Sequence, residues 1–142
     1  MPWPFFDERS DNLRPVYCGN IKRVKKDWGE EQWISNTELY CGKVLIIHQG
    51  WQCSLHYHKL KDETFYVSSG NILLELEGIE YLLSSGDSVH IPPYAKHRFF
   101  GIGGFHNAIF EISTFHSDED VYRLEPSKYN PNRKITVQPY RG

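Results

Sequence analysis

Short runs of β-branched and aromatic residues, each closed by glycine, asparagine, aspartate or proline, recur along most of this chain, and helical periodicity is nearly absent. KVLIIHQG reads as a strand closed by Gly50, and CSLHYHK as a second with alternating side chains. ETFYVSSGNILLELEG holds two more, joined near Ser69, Gly70 and Asn71. IEYLLSSG, DSVHIPP, KHRFFG and HNAIFEIST continue the series. Many short strands without intervening helices specify an all-β antiparallel sandwich or barrel.

A length of 142 residues suits one domain. The strand series places a barrel core at about residues 40–115, between an N-terminal arm over 1–39 and a C-terminal arm over 116–142. Within the first arm YCGNIKRV is a candidate strand, and DWGEEQWIS a strand or one helical turn. Trp3, Phe5 and Phe6 require a surface to pack on, either this barrel or a second subunit. The second arm is expected to wrap as an extended segment ending in a short strand at ITV, Ile135 to Val137.

With 16 basic and 18 acidic side chains the net charge is -2, which gives no basic stripe for nucleic acid. The longest apolar run, Val44 to Ile47, is strand-sized and far short of a membrane span. MPWPFFDERSDN lacks the basic start and apolar stretch of a secretory signal. Cys18, Cys41 and Cys53 fit neither a disulfide framework nor a CxxC zinc site, so packed thiols in a cytoplasmic protein are expected. Exposed sheet edges and aromatic arms favour a homodimer.

Chemistry concentrates in one constellation. His56 and His58 stand two apart in an alternating strand, so both imidazoles project from the same face. Glu63 returns across a short turn to the same space, and His97 follows the Pro92–Pro93 turn on another inward-facing strand. Three imidazoles and a carboxylate suit a divalent ion such as Mn, Fe, Co, Ni or Zn, and an octahedral ion so held keeps two open positions.

The chain reads G-x5-H-x-H-x4-E-x6-G from Gly50 to Gly70 and G-x5-P-x4-H from Gly86 to His97. These resemble the two motifs of the cupin superfamily, which implies a single-domain double-stranded β-helix, or jelly-roll barrel, with a metal on His56, His58, Glu63 and His97. Two positions depart from the usual pattern: Tyr94 replaces a common glycine, and Gly101 a frequent asparagine. From Lys25 to Glu125 the chain also resembles cupin sugar isomerases: D-lyxose isomerase and the C-terminal domain of type II mannose-6-phosphate isomerases. HYHKLKDE matches the HxHxxKxE pattern of the former, and the WG element at Trp28 and Gly29 is shared.

That resemblance implies a metal-dependent aldose–ketose isomerase acting on a sugar or sugar phosphate through an enediol. Glu111, alternating inward in AIFEIST, is the expected proton carrier. Lys61 is expected to hold or polarise a substrate oxygen. Arg98 and Arg123 are candidates for a phosphate group, and Tyr66 for the substrate wall. His48, His90 and His106 read as core or rim residues rather than ligands. Competing readings are a cupin dioxygenase using Fe(II) or Ni(II), a non-catalytic sugar-binding cupin, and a metal-free nucleotide-sugar epimerase or ketoisomerase, which the complete ligand set disfavours.

Overall fold

The computed structural model describes residues 20–104 and 106–139. Thirteen strands follow in order. They begin with β1 (Lys22–Lys26), β2 (Gly29–Asn36), β3 (Cys41–Ile47), β4 (Trp51–Gln52) and β5 (Leu55–Tyr57). Next come β6 (Glu63–Ser69), β7 (Asn71–Leu76), β8 (Ile79–Ser84) and β9 (Ser88–Ile91). The series ends with β10 (His97–Gly101), β11 (Asn107–Ser113), β12 (Tyr122–Glu125) and β13 (Lys128–Tyr129). One 3-10 turn, Asp118–Asp120, is the single helical element among the described residues.

The strands form two antiparallel sheets. One has the order β1-β2-β3-β11-β6-β9. In the other, β10 lies between β7, which pairs onward to β8, and the interrupted course of β4 and β5. β12 and β13 cover the far edge of that course. The inner faces meet in a core of Leu45, Ile47, Val67 and Ile109 from the first sheet and Ile72, Leu74 and Leu83 from the second. Each of these side chains is essentially inaccessible, which stabilises the barrel by roughly 1.5–3 kcal/mol apiece. Phe99 is the hinge of the aromatic packing, with Trp28 edge-on at 4.9 Å and Phe65 at 6.2 Å.

The barrel is larger than the strand series suggested. Its sheet runs back to Lys22, because β1 and β2 form a hairpin and β2 pairs with β3 from Gly29↔Ile47 to Asn36↔Cys41. Lys25 stands opposite Glu30, and Arg23 reaches Glu30 at 2.8 Å and Lys26 reaches Glu31 at 3.7 Å, so opposite charges face each other across a ribbon with little apolar alternation. Gly29 is required here. A Cβ would lie 1.8 Å from the carbonyl oxygen of Ile46, and its φ is +151°. At the other end, the expected strand at Ile135 to Val137 is absent, and β12 and β13 take the open edges of β5 and β4 instead. Cys41 and Cys53 are buried free thiols, whereas Trp3, Phe5, Phe6 and Cys18 lie outside the described residues.

Candidate metal centre and its cavity

β5 and the residue after it carry His56 and His58, and β10 sets His97 directly opposite His56. Tyr57, between the two histidines, turns the other way and stacks on Tyr122 at 5.2 Å. The three imidazoles bring one ring nitrogen each to within 4.8 Å of one another, a cluster able to hold a metal ion.

Each ring is oriented through its Nδ1. His56 Nδ1 lies 2.8 Å from the Ser54 carbonyl, His58 Nδ1 3.0 Å from that of Asp120, and His97 Nδ1 2.9 Å from that of Ala95. A carbonyl only accepts, so each Nδ1 carries the proton and each Nε2 presents a lone pair. Glu63 completes the group, with its Oε2 3.2 Å from both His58 Nε2 and His97 Nε2. Glu63 Oε2 and His97 Nε2 are buried and have no hydrogen-bond partner. Acceptors that converge without a donor are what a cation satisfies. Ligand atoms at right angles around an ion with bonds near 2.1 Å stand about 3.0 Å apart, close to the spacing seen. Burial, followed by its His97 and His58 neighbours, holds the His56 imidazole well below its ordinary value, so it stays neutral and ready to ligate. The residues present therefore fit a divalent metal.

The loop between the ligands is fastened by one buried side chain. Asp120 accepts from the backbone N–H of Lys59 and Leu60 through Oδ1, and from Leu60 and Lys61 through Oδ2, at 2.9–3.2 Å. Tyr94 closes the neighbouring turn, donating its N–H to the His58 carbonyl at 2.6 Å. Its φ is +71°, the left-handed conformation that explains why glycine is common there.

The cluster opens into a cavity of about 530 Å³. Lys61 and Glu111 both line it, and Lys61 Nζ donates to Glu111 Oε2 at 2.8 Å while standing 4.0 Å from Glu63. Burial alone would lower the Lys61 pKa, but Glu111 and then Glu63 outweigh it and raise it, so the ammonium persists. Ser113 Oγ also donates to Glu111 Oε2, at 3.1 Å. Oε1 is left without a donor among the described residues.

Arg123, on β12 opposite His56, is exposed at the cavity mouth. Two expected substrate residues lie elsewhere. Arg98 follows inward-facing His97, so alternation turns it to the other face, where Glu125 at 2.5 Å and Glu75 at 4.0 Å occupy its guanidinium. Tyr66 is out of phase with buried Glu63, Phe65 and Val67 and is 41% exposed on the outer face. His48, His90 and His106 do not line the cavity.

Sequence reasoning passed over Lys43, Glu31 and His116, all of which do line it. Lys43 is 1% exposed, 3.2 Å from Glu31 and 4.1 Å from the centre of the Trp33 ring. A signal existed: Lys43 is in phase with the inward residues Cys41, Leu45 and Ile47. His116 Nε2 donates to Asp118 Oδ1 at 2.9 Å, and burial, then Lys61 and Lys43, push its imidazole down to about 4.

The two-sheet barrel is a cupin-type fold. The cupin-domain family model matches residues 43–110, which hold all four candidate ligands. Over 60 residues the chain is 32% identical to Protein SchB of Streptomyces halstedii, covering 42% of this chain and 44% of that protein. It is 30% identical over 70 residues to a protein described as Polyketide synthase CurC of Streptomyces cyaneus, covering 49% and 45%. The matches thus span less than half the length of these relatives.

Among solved structures, capsular polysaccharide assembling protein CapF of Staphylococcus aureus superposes with a TM-score of 0.68 at 23% identity, over 77% of this chain and 33% of that one. KdgF of Halomonas sp. gives 0.60 at 19% identity, over 83% and 98%. Pac13, described as a unique nucleoside dehydratase, gives 0.64 at 13%, over 75% and 87%. At these identities the likeness speaks for the barrel.

Proposed function

We propose that the protein is a metal-dependent aldose–ketose isomerase acting on a sugar or sugar phosphate. The observation that carries this reading is Glu111, a carboxylate with one oxygen pinned by Lys61 and Ser113 and the other open in the metal cluster's cavity. Isomerisation moves one proton between adjacent carbons, which needs a single base within reach of both. Glu111 Oε1 takes the proton from one carbon and returns it to the next. The Lys61 ammonium donates to the neighbouring substrate oxygen as charge develops there. A divalent ion on His56, His58, Glu63 and His97 would polarise the carbonyl as a Lewis acid. Arg123 at the mouth suits the phosphate of a phosphorylated substrate.

The test loads the full chain separately with Mn, Co, Fe and Zn and incubates each form under argon with lyxose, mannose and mannose 6-phosphate. Metal-dependent ketose formation is expected, lost by a factor of about a hundred or more in Glu111→Gln at unchanged metal content. Full turnover by Glu111→Gln removes that residue from the chemistry. A metal-loaded protein that forms no ketose under argon but consumes oxygen when the same mixtures are run in air points to the dioxygenase reading.

A further inference from the structure

Beside the Lys61–Glu111 pair the cavity holds a second, largely buried ion pair that the reaction does not use, its lysine fully buried and its carboxylate partly so. Lys43 lies on β3 directly across from Glu111 on β11 and reaches Glu31 at 3.2 Å. Glu31 also accepts from Trp33 Nε1 at 2.8 Å and faces Lys26 at 3.7 Å. Charged side chains thus alternate in sign along the wall, from Glu63 to Lys61, Glu111, Lys43, Glu31 and Lys26. All six line the cavity.

A buried ion pair is a poor stabiliser, since well-packed apolar residues of similar size serve a barrel wall as well or better. Lys43 has three N–H donors, and Glu31 is the one hydrogen-bond acceptor it meets among the described residues. Alternating donors and acceptors match a chain of vicinal hydroxyls, each of which donates and accepts.

We infer that Lys43 and Glu31 grip the distal hydroxyls of an extended, polyhydroxylated substrate whose reacting end lies at the metal cluster. The inference rests on reading the cavity as a sugar site. Lys43 is two strands across from Glu63 and one inward-facing step along, a backbone separation of about 12 Å. Side chains projecting into the cavity from both ends leave a gap on the scale of roughly a five- or six-carbon chain. The pair therefore selects chain length.

The experiment measures binding rather than turnover. Metal-loaded full-length protein is titrated with ethylene glycol, glycerol and mannitol by ligand-observed NMR. For the wild type, affinity rises about tenfold or more from glycerol to mannitol, as expected for two added charge-assisted hydrogen bonds. The double variant Lys43→Met/Glu31→Gln, which leaves no lone buried charge, loses that increment and keeps glycerol binding. Should it fail to fold by circular dichroism, Lys43→Arg/Glu31→Asp keeps the charges while shifting their reach, with the same loss expected. A wild type with no chain-length increment, or a folded variant that retains it, overturns the inference. An increment without ketose formation leaves this assignment standing and removes the isomerase reading.

Discussion

Buried Asp120 fastens the loop between two of the candidate metal ligands. Its carboxylate receives the N–H groups of Lys59, Leu60 and Lys61, the loop that links His58 to Glu63. Asp120→Ala deprives three amides of their acceptor. Hydrogen bonds to a charged group contribute about 1.5–3 kcal/mol each, and water re-solvates the more accessible amides. A net loss of about 3 kcal/mol follows, a large share of the roughly 5–15 kcal/mol available to a domain of this size. Asp120→Asn keeps one acceptor oxygen and presents an NH2 to the rest, so its loss is roughly half as great. The backbone carbonyl that orients His58 remains in both variants. Metal affinity falls only insofar as the loop shifts, by about tenfold or more. Urea denaturation of the metal-loaded proteins gives the stabilities, and competition with a chromogenic chelator gives the affinities. An Asp120→Ala protein within 0.5 kcal/mol of wild type in urea, at unaltered metal affinity, would refute the reasoning.

His116 sets an acid limb. Its folded pKa of about 4 lies below the ordinary 6.5, so the unfolded chain binds the extra proton first and stability falls as pH drops from about 6.5 to about 4. His116→Gln flattens that stretch of the urea-midpoint profile. Burial pushes the Cys53 thiol up to about 12 and raises that of Cys41. Iodoacetamide at pH 8 therefore leaves both unlabelled in the native protein and labels both in urea, as peptide mass mapping reads directly. Arg123→Ala weakens binding of mannose 6-phosphate relative to mannose. Arg98→Ala instead lowers the thermal midpoint and leaves that ratio unchanged, because Glu125 and Glu75 hold its charge.

The convergence of His56, His58, Glu63 and His97 was legible because strand geometry turns sequence spacing into direction. His56 and His58 stand two positions apart, and the period of two needs no tertiary information. The same rule placed Glu111 inward and, applied consistently, puts Tyr66 outward, since it stands three positions after Glu63. Arg98 is subtler. Alternation gives its face, but its burial comes from a carboxylate 27 residues later, which no local pattern reveals. The β1–β2 hairpin was only partly legible, as a candidate strand at YCGNIKRV and a strand or helical turn at DWGEEQWIS, because opposite charges rather than an apolar face join its strands. Lys43 escaped notice for the opposite reason: a lysine inside a strand normally marks the solvent side, and here its partner Glu31 lies on another strand.

The hairpin and the C-terminal segment meet each other as well as the barrel. Asn36 donates its side-chain amide to the His116 carbonyl at 3.0 Å and accepts the His116 N–H at 2.9 Å, and Ser127 donates to Asp27 at 3.0 Å. The segment matched by the cupin-domain model, residues 43–110, carries the four candidate metal ligands and Lys61. Glu31, His116 and Arg123, which shape the rest of the cavity, come from outside it. The cavity thus has a two-part collar, built from both ends of the described chain. Transplanting either part alone would break the reciprocal Asn36–His116 clasp, so a change of substrate by grafting, or by evolution, has to move both ends of the chain as one cassette.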